Sequence, residues 1–257
     1  MINIRDPWDL KRQITKYYIE KNAADKEIRS GSANLSPSLI LTSDQGPYCD
    51  LFLGYKLVGT PGTAKIDPSM RRRMDAGSAM HKLYQKIILQ IYGPNRVRIE
   101  KEARIPELYL RMFADAELDE RHGLEIKTAS AKVFDSVVRA GKPQRKHQDQ
   151  GLFLFKGLGW ESLSFLYINM DSLNDLEVSV MLEADYIPDE YLMGELAEAE
   201  MAPIVTTFDA DRWEYFRSRI VDKVLSPIDD EGIAPEKTEG SWCWRCPYVQ
   251  PCKEGVW

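Results

Sequence analysis

The chain has 257 residues, 44% of them hydrophobic and 29% charged, and its 34 Lys and Arg against 40 Asp and Glu give a formal net charge of −6. That size and balance belong to an ordinary globular protein with a substantial core, and exclude a disordered, fibrous or collagen-like chain. No apolar run reaches the length needed to cross a bilayer. The opening Met-Ile-Asn-Ile-Arg-Asp-Pro-Trp-Asp has no basic stretch leading into an apolar one, so the expectation is a cytoplasmic protein without a membrane partner.

Residues from about Trp8 to Ala24 read as an amphipathic helix, with Leu10, Ile14, Tyr17, Tyr18 and Ile19 toward one side. A loop rich in Ser, Asn and Gly follows and leads to Cys49. Asp67 can cap, and Pro68 can begin, a long helix running to Ile91, where Gly93-Pro94 stops it. Met80, Leu83, Ile87 and Ile91 recur at helical spacing and predict its buried stripe. Three strand segments come next, Arg96–Ile105, Tyr109–Leu118 and Leu124–Thr128, the last two joined by the turn Asp119-Glu-Arg-His-Gly123. A helical region is expected over Ala131–Leu158, then strands at Ser164–Asn169 and Glu177–Leu182, then a helix from Ala210 to Leu225. This order predicts an α/β fold: a mixed sheet flanked by helices, with an accessory part built from both termini. The expected division is 1–66 as a helical region carrying one cysteine, 67–235 as the core, and 236–257 as a cysteine tail.

Chemistry concentrates in the hairpin. In Met112-Phe-Ala-Asp115-Ala-Glu-Leu118, the two-residue period of a strand puts Phe113, Asp115 and Glu117 on one side; in Leu124-Glu125-Ile126-Lys127 it does the same for Glu125 and Lys127. If the strands pair, two carboxylates and one ammonium group converge. Adjacent carboxylates repel unless a cation lies between them, and hard oxygen donors suit Mg²⁺ or Mn²⁺. Such an ion polarises a phosphodiester and activates water. His81, on the long helix beside its apolar stripe, could reach the ion. Gln150, on the helix after the Glu125 strand, could hold substrate or water, and Gln148 is an alternative for that place.

Average charge argues against nucleic acid, but the basic residues are unevenly spread. Lys127, Lys132, Arg139, Lys142, Arg145 and Lys146 lie within twenty residues against the single acid Asp135, which suits a DNA-binding patch beside an acidic site. Arg71, Arg72 and Arg73 form a second basic group.

Three of the four cysteines fall in the last fifteen residues, as Cys243-Trp-Arg-Cys246-Pro-Tyr-Val-Gln-Pro-Cys252, and the fourth is Cys49. In a reducing compartment such a group suits one four-coordinate metal site, with zinc and iron–sulfur as the physical competitors. Trp242 and Trp244 could shield it. If Cys49 completes the set, the site ties the two ends of the chain together.

The ordered set Gly77-x-x-x-His81, Asp115, Glu125-x-Lys127 and Gln150 resembles the RecB-like branch of the PD-(D/E)XK nuclease superfamily. With Cys49, Cys243, Cys246 and Cys252 added, it is similar to the iron–sulfur members of that branch, which include CRISPR-associated RecB-like exonucleases and the nuclease domains of recombination helicase–nucleases. The resemblance covers about Pro47 to Cys252. It implies a restriction-endonuclease-like core in which His81, Asp115, Glu125 and the Ile126 carbonyl bind Mg²⁺ or Mn²⁺, Lys127 is the catalytic lysine, and Gln150 is the family's glutamine. It also implies a [4Fe–4S] cluster on the four cysteines, with zinc as the runner-up. The activity implied is a deoxyribonuclease, exonuclease favoured, on single-stranded DNA or DNA ends. The settings implied are recombination and repair, CRISPR adaptation or phage DNA metabolism, with protein partners of such an assembly. A DNA-binding subunit without turnover and a zinc-stabilised interaction module are the alternatives. Two departures stand out. Met112-Phe113-Ala114 occupies the place where the family often has glycine, and Leu154, between Phe153 and Phe155, stands where it often has tyrosine.

Overall fold

The computed structural model describes residues 14–21, 34–40, 49–60, 62, 67–181, 204–207, 210–230, 232–237, 243 and 246–255. The ends of the expected Trp8–Ala24 helix, and Trp242 and Trp244, lie outside the described residues. Six strands make one mixed sheet in sequential order: β1 (Val97–Ile105), β2 (Leu110–Leu118), β3 (His122–Ala129), β4 (Ser162–Asn169), β5 (Asp175–Met181) and β6 (Ile204–Thr207). β1, β2 and β3 pair antiparallel, β3 and β4 parallel, β4 and β5 antiparallel, and β5 and β6 parallel. A parallel pair needs a long crossover, and between β3 and β4 two helices supply it.

Helices 14–21 (α1), Pro37–Ile40 (α2) and Asp50–Leu57 (α3) precede the sheet. The long helix α4 (Pro68–Tyr92) starts where expected: the Asp67 carboxylate accepts from the Ser69 N–H at 2.7 Å and the Met70 N–H at 3.3 Å, with Pro68 in the first turn. Gly93, at φ +80°, ends it. Its expected buried stripe is corrected. Leu83, Ile87 and Ile91 are exposed, and only Met80 packs partly inward. The inward face instead carries Gln85 and Ile88, with Met80, Tyr84 and Leu89 packed against the apolar groups beneath and Arg71 buried near the helix start, so the buried side is turned away from Leu83, Ile87 and Ile91.

The single helical region expected over 131–158 is two helices, α5 (Ala131–Ala140) and α6 (Arg145–Leu158), separated at Gly141 with φ +57°. The helix expected over 210–225 ends as a regular α-helix at Ile220 (α7, Ala210–Ile220). A wider π-helical turn, Val221–Leu225, and the short α8 (Ser226–Asp229) continue it. Pro227 has no N–H to give to the preceding turn, which accounts for the change of pitch. The tail ends in α9 (Val249–Glu254).

The main core lies under α6. Phe153 and Leu154 of α6, Trp160, and Phe165 and Tyr167 of β4 join Phe52 and Tyr55 of α3, Phe216 and Ile220 of α7, and Tyr248 of the tail. A smaller core under α4 contains Ile88, Val97, Ala116, Leu124, Ile126 and Ile168. Both ends of the chain therefore contribute to the same core as the sheet.

Two carboxylate–arginine pairs fix α7. Arg212 grips both oxygens of the buried Asp149 on α6, and Arg219 reaches Asp50 on α3 at 2.8 Å. A buried ion left without its partner is costly. Arg212→Ala is therefore expected to lower unfolding free energy by about 3 kcal/mol in denaturant titrations, whereas Arg217→Ala, on an exposed pair with Glu214, should change it by under about 1 kcal/mol. Equal effects would contradict this assignment.

Candidate active site

The β2–β3 ladder is short. It runs from Leu118↔His122 to Ala116↔Leu124 and stops. Beyond it the strands part, and Leu35 takes up the edge of β2 instead, through its N–H to the Tyr109 carbonyl at 2.8 Å and its carbonyl to the Arg111 N–H at 3.0 Å. Asp115 is the first β2 residue past the last β2–β3 pair. Its Oδ2 accepts from the Ile126 N–H of β3 at 2.7 Å, so a side chain replaces the missing backbone rung. Its Oδ1 lies 3.0 Å from His81 Nδ1 on α4, and its carbonyl accepts from the Gln85 amide at 3.1 Å. Gly77 brings α4 this close, since a Cβ there would stand 3.3 Å from Thr128 Oγ1.

Glu125 is nearly sealed from water, at 2% exposure. Its Oε1 lies 3.4 Å from the Asp115 N–H. Its Oε2 accepts from the Lys127 ammonium at 2.5 Å and from the Gln150 amide at 3.1 Å, and Gln150 Oε1 accepts from the same ammonium at 2.9 Å. Burial pushes the Glu125 carboxyl above its usual range, with Lys127 opposing and Asp115 adding to the rise. Gln150 reaches this site because α6 lies close on β4: a Cβ at Gly151 would come within 2.9 Å of Leu163 Cδ2. Gln148 does not join it, and its amide turns back to the Pro143 carbonyl.

His81, Asp115, Glu125, Lys127 and Gln150 thus form one connected group drawn from four elements. Two cis ligands of an octahedral Mg²⁺ stand about 3 Å apart at the usual metal–oxygen distance. The 3.0 Å His81–Asp115 edge fits that spacing; the carboxylate oxygens are the hard donors such an ion requires, and the imidazole is a softer one. Glu125 is turned toward Lys127, and among the described residues no three His, Cys, Asp or Glu side chains surround one ion-sized point.

The cysteines are all free thiols, partly buried. Cys49 immediately precedes α3, and Cys49, Cys246 and Cys252 pack against the main core. Tyr248 of the tail meets Phe52 and Tyr55 of α3, with ring centroids 5.3 and 5.4 Å apart. Burial raises the Cys246 thiol above its usual range; a backbone hydrogen bond from Tyr248 opposes the rise, and the charges of Cys49, Cys243 and Cys252 add to it. Lys132, Arg139, Lys142, Arg145 and Lys146 are all exposed, on or between α5 and α6. Arg145 also reaches Asp149 at 3.6 Å.

Sequence reasoning missed Gln85 and His147. His147 lies one helical turn before Gln150 and sits over β4, where Tyr167 is the ladder partner of Lys127. The Gln144 N–H donates to the Tyr167 hydroxyl at 3.1 Å, and His147 Nδ1 lies 2.6 Å from the same hydroxyl. Burial, helped by Lys127 and Lys146, pushes the imidazole down to about 2. Its distance of three from Gln150 was the available signal.

The fold resembles that of a known exonuclease. An alkaline exonuclease (LHK-Exo) from Laribacter hongkongensis superposes with a TM-score of 0.50 at 11% identity, over 84% of this chain and 94% of its own. LHK-Exo in complex with dAMP gives 0.48 at 11%, over 83% and 98%, and the protein SSO0001 gives 0.46 at 15%, over 92% and 94%. At these identities the first likeness shows a shared nuclease-like α/β fold. No family model and no curated protein matches the chain. Among the described residues no helix is long and apolar enough to cross a membrane.

The neutral His147 has a consequence for stability. Its ordinary value of 6.5 applies when unfolded, against about 2 when folded, so below pH 6.5 only the unfolded chain takes up this proton. Stability should fall with pH below that point by up to about 1.4 kcal/mol per unit from this group. His147→Asn should flatten the dependence measured by denaturation between about pH 6.5 and pH 5. An unchanged slope would contradict the assignment.

Proposed function

We propose that the chain is a divalent-metal-dependent deoxyribonuclease of the RecB-like PD-(D/E)XK kind, acting on single-stranded DNA or DNA ends, with exonucleolytic action favoured. The observation that carries this reading is the Asp115 carboxylate held between His81 and the Ile126 N–H, directly beside the Glu125–Lys127–Gln150 group. The fold shared with an alkaline exonuclease supports it.

His81, Asp115, Glu125 and the Ile126 carbonyl would hold Mg²⁺ or Mn²⁺. When bound, the ion supplies Lewis-acid polarisation of the phosphodiester and a lower pKa for water. Lys127 has three N–H donors. Glu125 and Gln150 take two of them, which leaves one to orient water or to meet charge developing on a phosphate oxygen. Gln150 fixes both partners, because its oxygen accepts from Lys127 while its nitrogen donates to Glu125. The exposed Lys132, Arg139, Lys142, Arg145 and Lys146 would steer the DNA backbone toward the site.

Cys49, Cys243, Cys246 and Cys252 would hold a [4Fe–4S] cluster, in preference to zinc, that clamps the tail against α3. Ligation requires thiolates, so loading releases protons and its free energy adds to folding.

Two assays test the reading. With Mg²⁺ or Mn²⁺ and end-labelled DNA, the wild type should cleave and a chelator should stop it. Glu125→Ala and Lys127→Ala should each lose about 10²-fold or more with an unchanged circular dichroism spectrum. Cleavage at the wild-type rate in both variants would overturn the assignment. For the cluster, protein purified without oxygen should be brown and contain iron and sulfide, and Cys49→Ser should lose both and unfold earlier. A colourless, zinc-loaded protein would refute the cluster while leaving the nuclease reading standing.

A further inference from the structure

Phe113 is half exposed, at 50%, although Met112 and Ala114 on either side of it are buried. An aromatic ring left in water forgoes burial that its apolar surface would otherwise gain. Its position gives the exposure a use. Phe113 precedes Asp115 by two residues, about 7 Å along an extended strand, on the stretch of β2 that β3 has already left. The Arg111 guanidinium stacks against the ring with its carbon 5.1 Å from the centroid. Arg111 and Arg104 share the Glu102 carboxylate, which holds the Arg111 guanidinium in place beside the ring.

We infer that Phe113, backed by Arg111, is a stacking platform for one nucleobase next to the phosphate processed at Asp115. A base can lie on Phe113 only if it has left its own stack, so the platform selects single-stranded DNA or a frayed end over continuous duplex. Stacking is tolerant of base identity because every base has a π-face. The platform therefore sets strand state and register without reading sequence. This deepens the nuclease reading and rests on it.

The test uses Glu125→Gln protein, which should bind without cleaving, and single-stranded oligonucleotides carrying one abasic site at successive positions. With Phe113 present, one position should weaken binding roughly five- to hundredfold. Phe113→Ala should weaken binding of the intact strand by a similar factor and abolish the penalty at that position. Phe113→Trp should restore both. In otherwise wild-type protein, Phe113→Ala should lose preference for single strands over duplex. Abasic penalties that persist in Phe113→Ala, or a strand preference left unchanged, overturn the platform alone. Wild-type protein that neither binds nor cleaves DNA overturns the nuclease reading, and the platform with it.

Discussion

The site depends on a strand pair that gives up early. β2 and β3 share only three residue pairs before they separate, and separation leaves backbone groups that must find other partners. Asp115 supplies one of them by accepting from the Ile126 N–H. The same hydrogen bond fixes the carboxylate between the strands, where His81 meets it from α4. Had the ladder continued, the Ile126 N–H would have had a backbone partner, and the aspartate would have been one more side chain on a sheet face. Just before the opening, the Phe113 side chain is half exposed between the buried Met112 and Ala114.

The rest of the molecule keeps that opening in place. α4 carries His81 and Gln85 across the smaller core, while α6 carries Gln150 and His147 across the larger one. α7 then ties α6 to α3 through Asp149–Arg212 and Asp50–Arg219. Asp149 adjoins Gln150, and Asp50 adjoins Cys49, so one helix links the element beside the thiols to the element beside Lys127. The polar groups at these joints are largely buried and partnered, a condition under which they specify a geometry as well as stabilise it.

Much of this was legible in the sequence, and the reasons differ by element. Asp115, Glu125 and Lys127 could be placed together because a strand's two-residue period and a short turn leave few alternatives. The Asp67-Pro68 start of α4 was legible because capping is local. Its buried face was not: Leu83, Ile87 and Ile91 have the right period, yet the helix turns Gln85 inward to the Asp115 carbonyl. Tyr84 and Ile88 repeat the same spacing one residue further on and are the ones that meet the apolar groups beneath, so periodicity alone does not choose between two adjacent stripes. Asp149–Arg212 spans 63 residues, and no local pattern marks such a pair. The Gln148–Gln150 ambiguity needed the depth of α6 on β4, which Gly151 controls.

Direct titration with Mn²⁺, followed by calorimetry or electron paramagnetic resonance, tests the central claim independently of any DNA. The account predicts that the wild type binds Mn²⁺ and that Asp115→Asn, folded and with its hydrogen bond to Ile126 retained through the amide oxygen, loses that binding. Equal Mn²⁺ affinity in the wild type and Asp115→Asn would contradict the account.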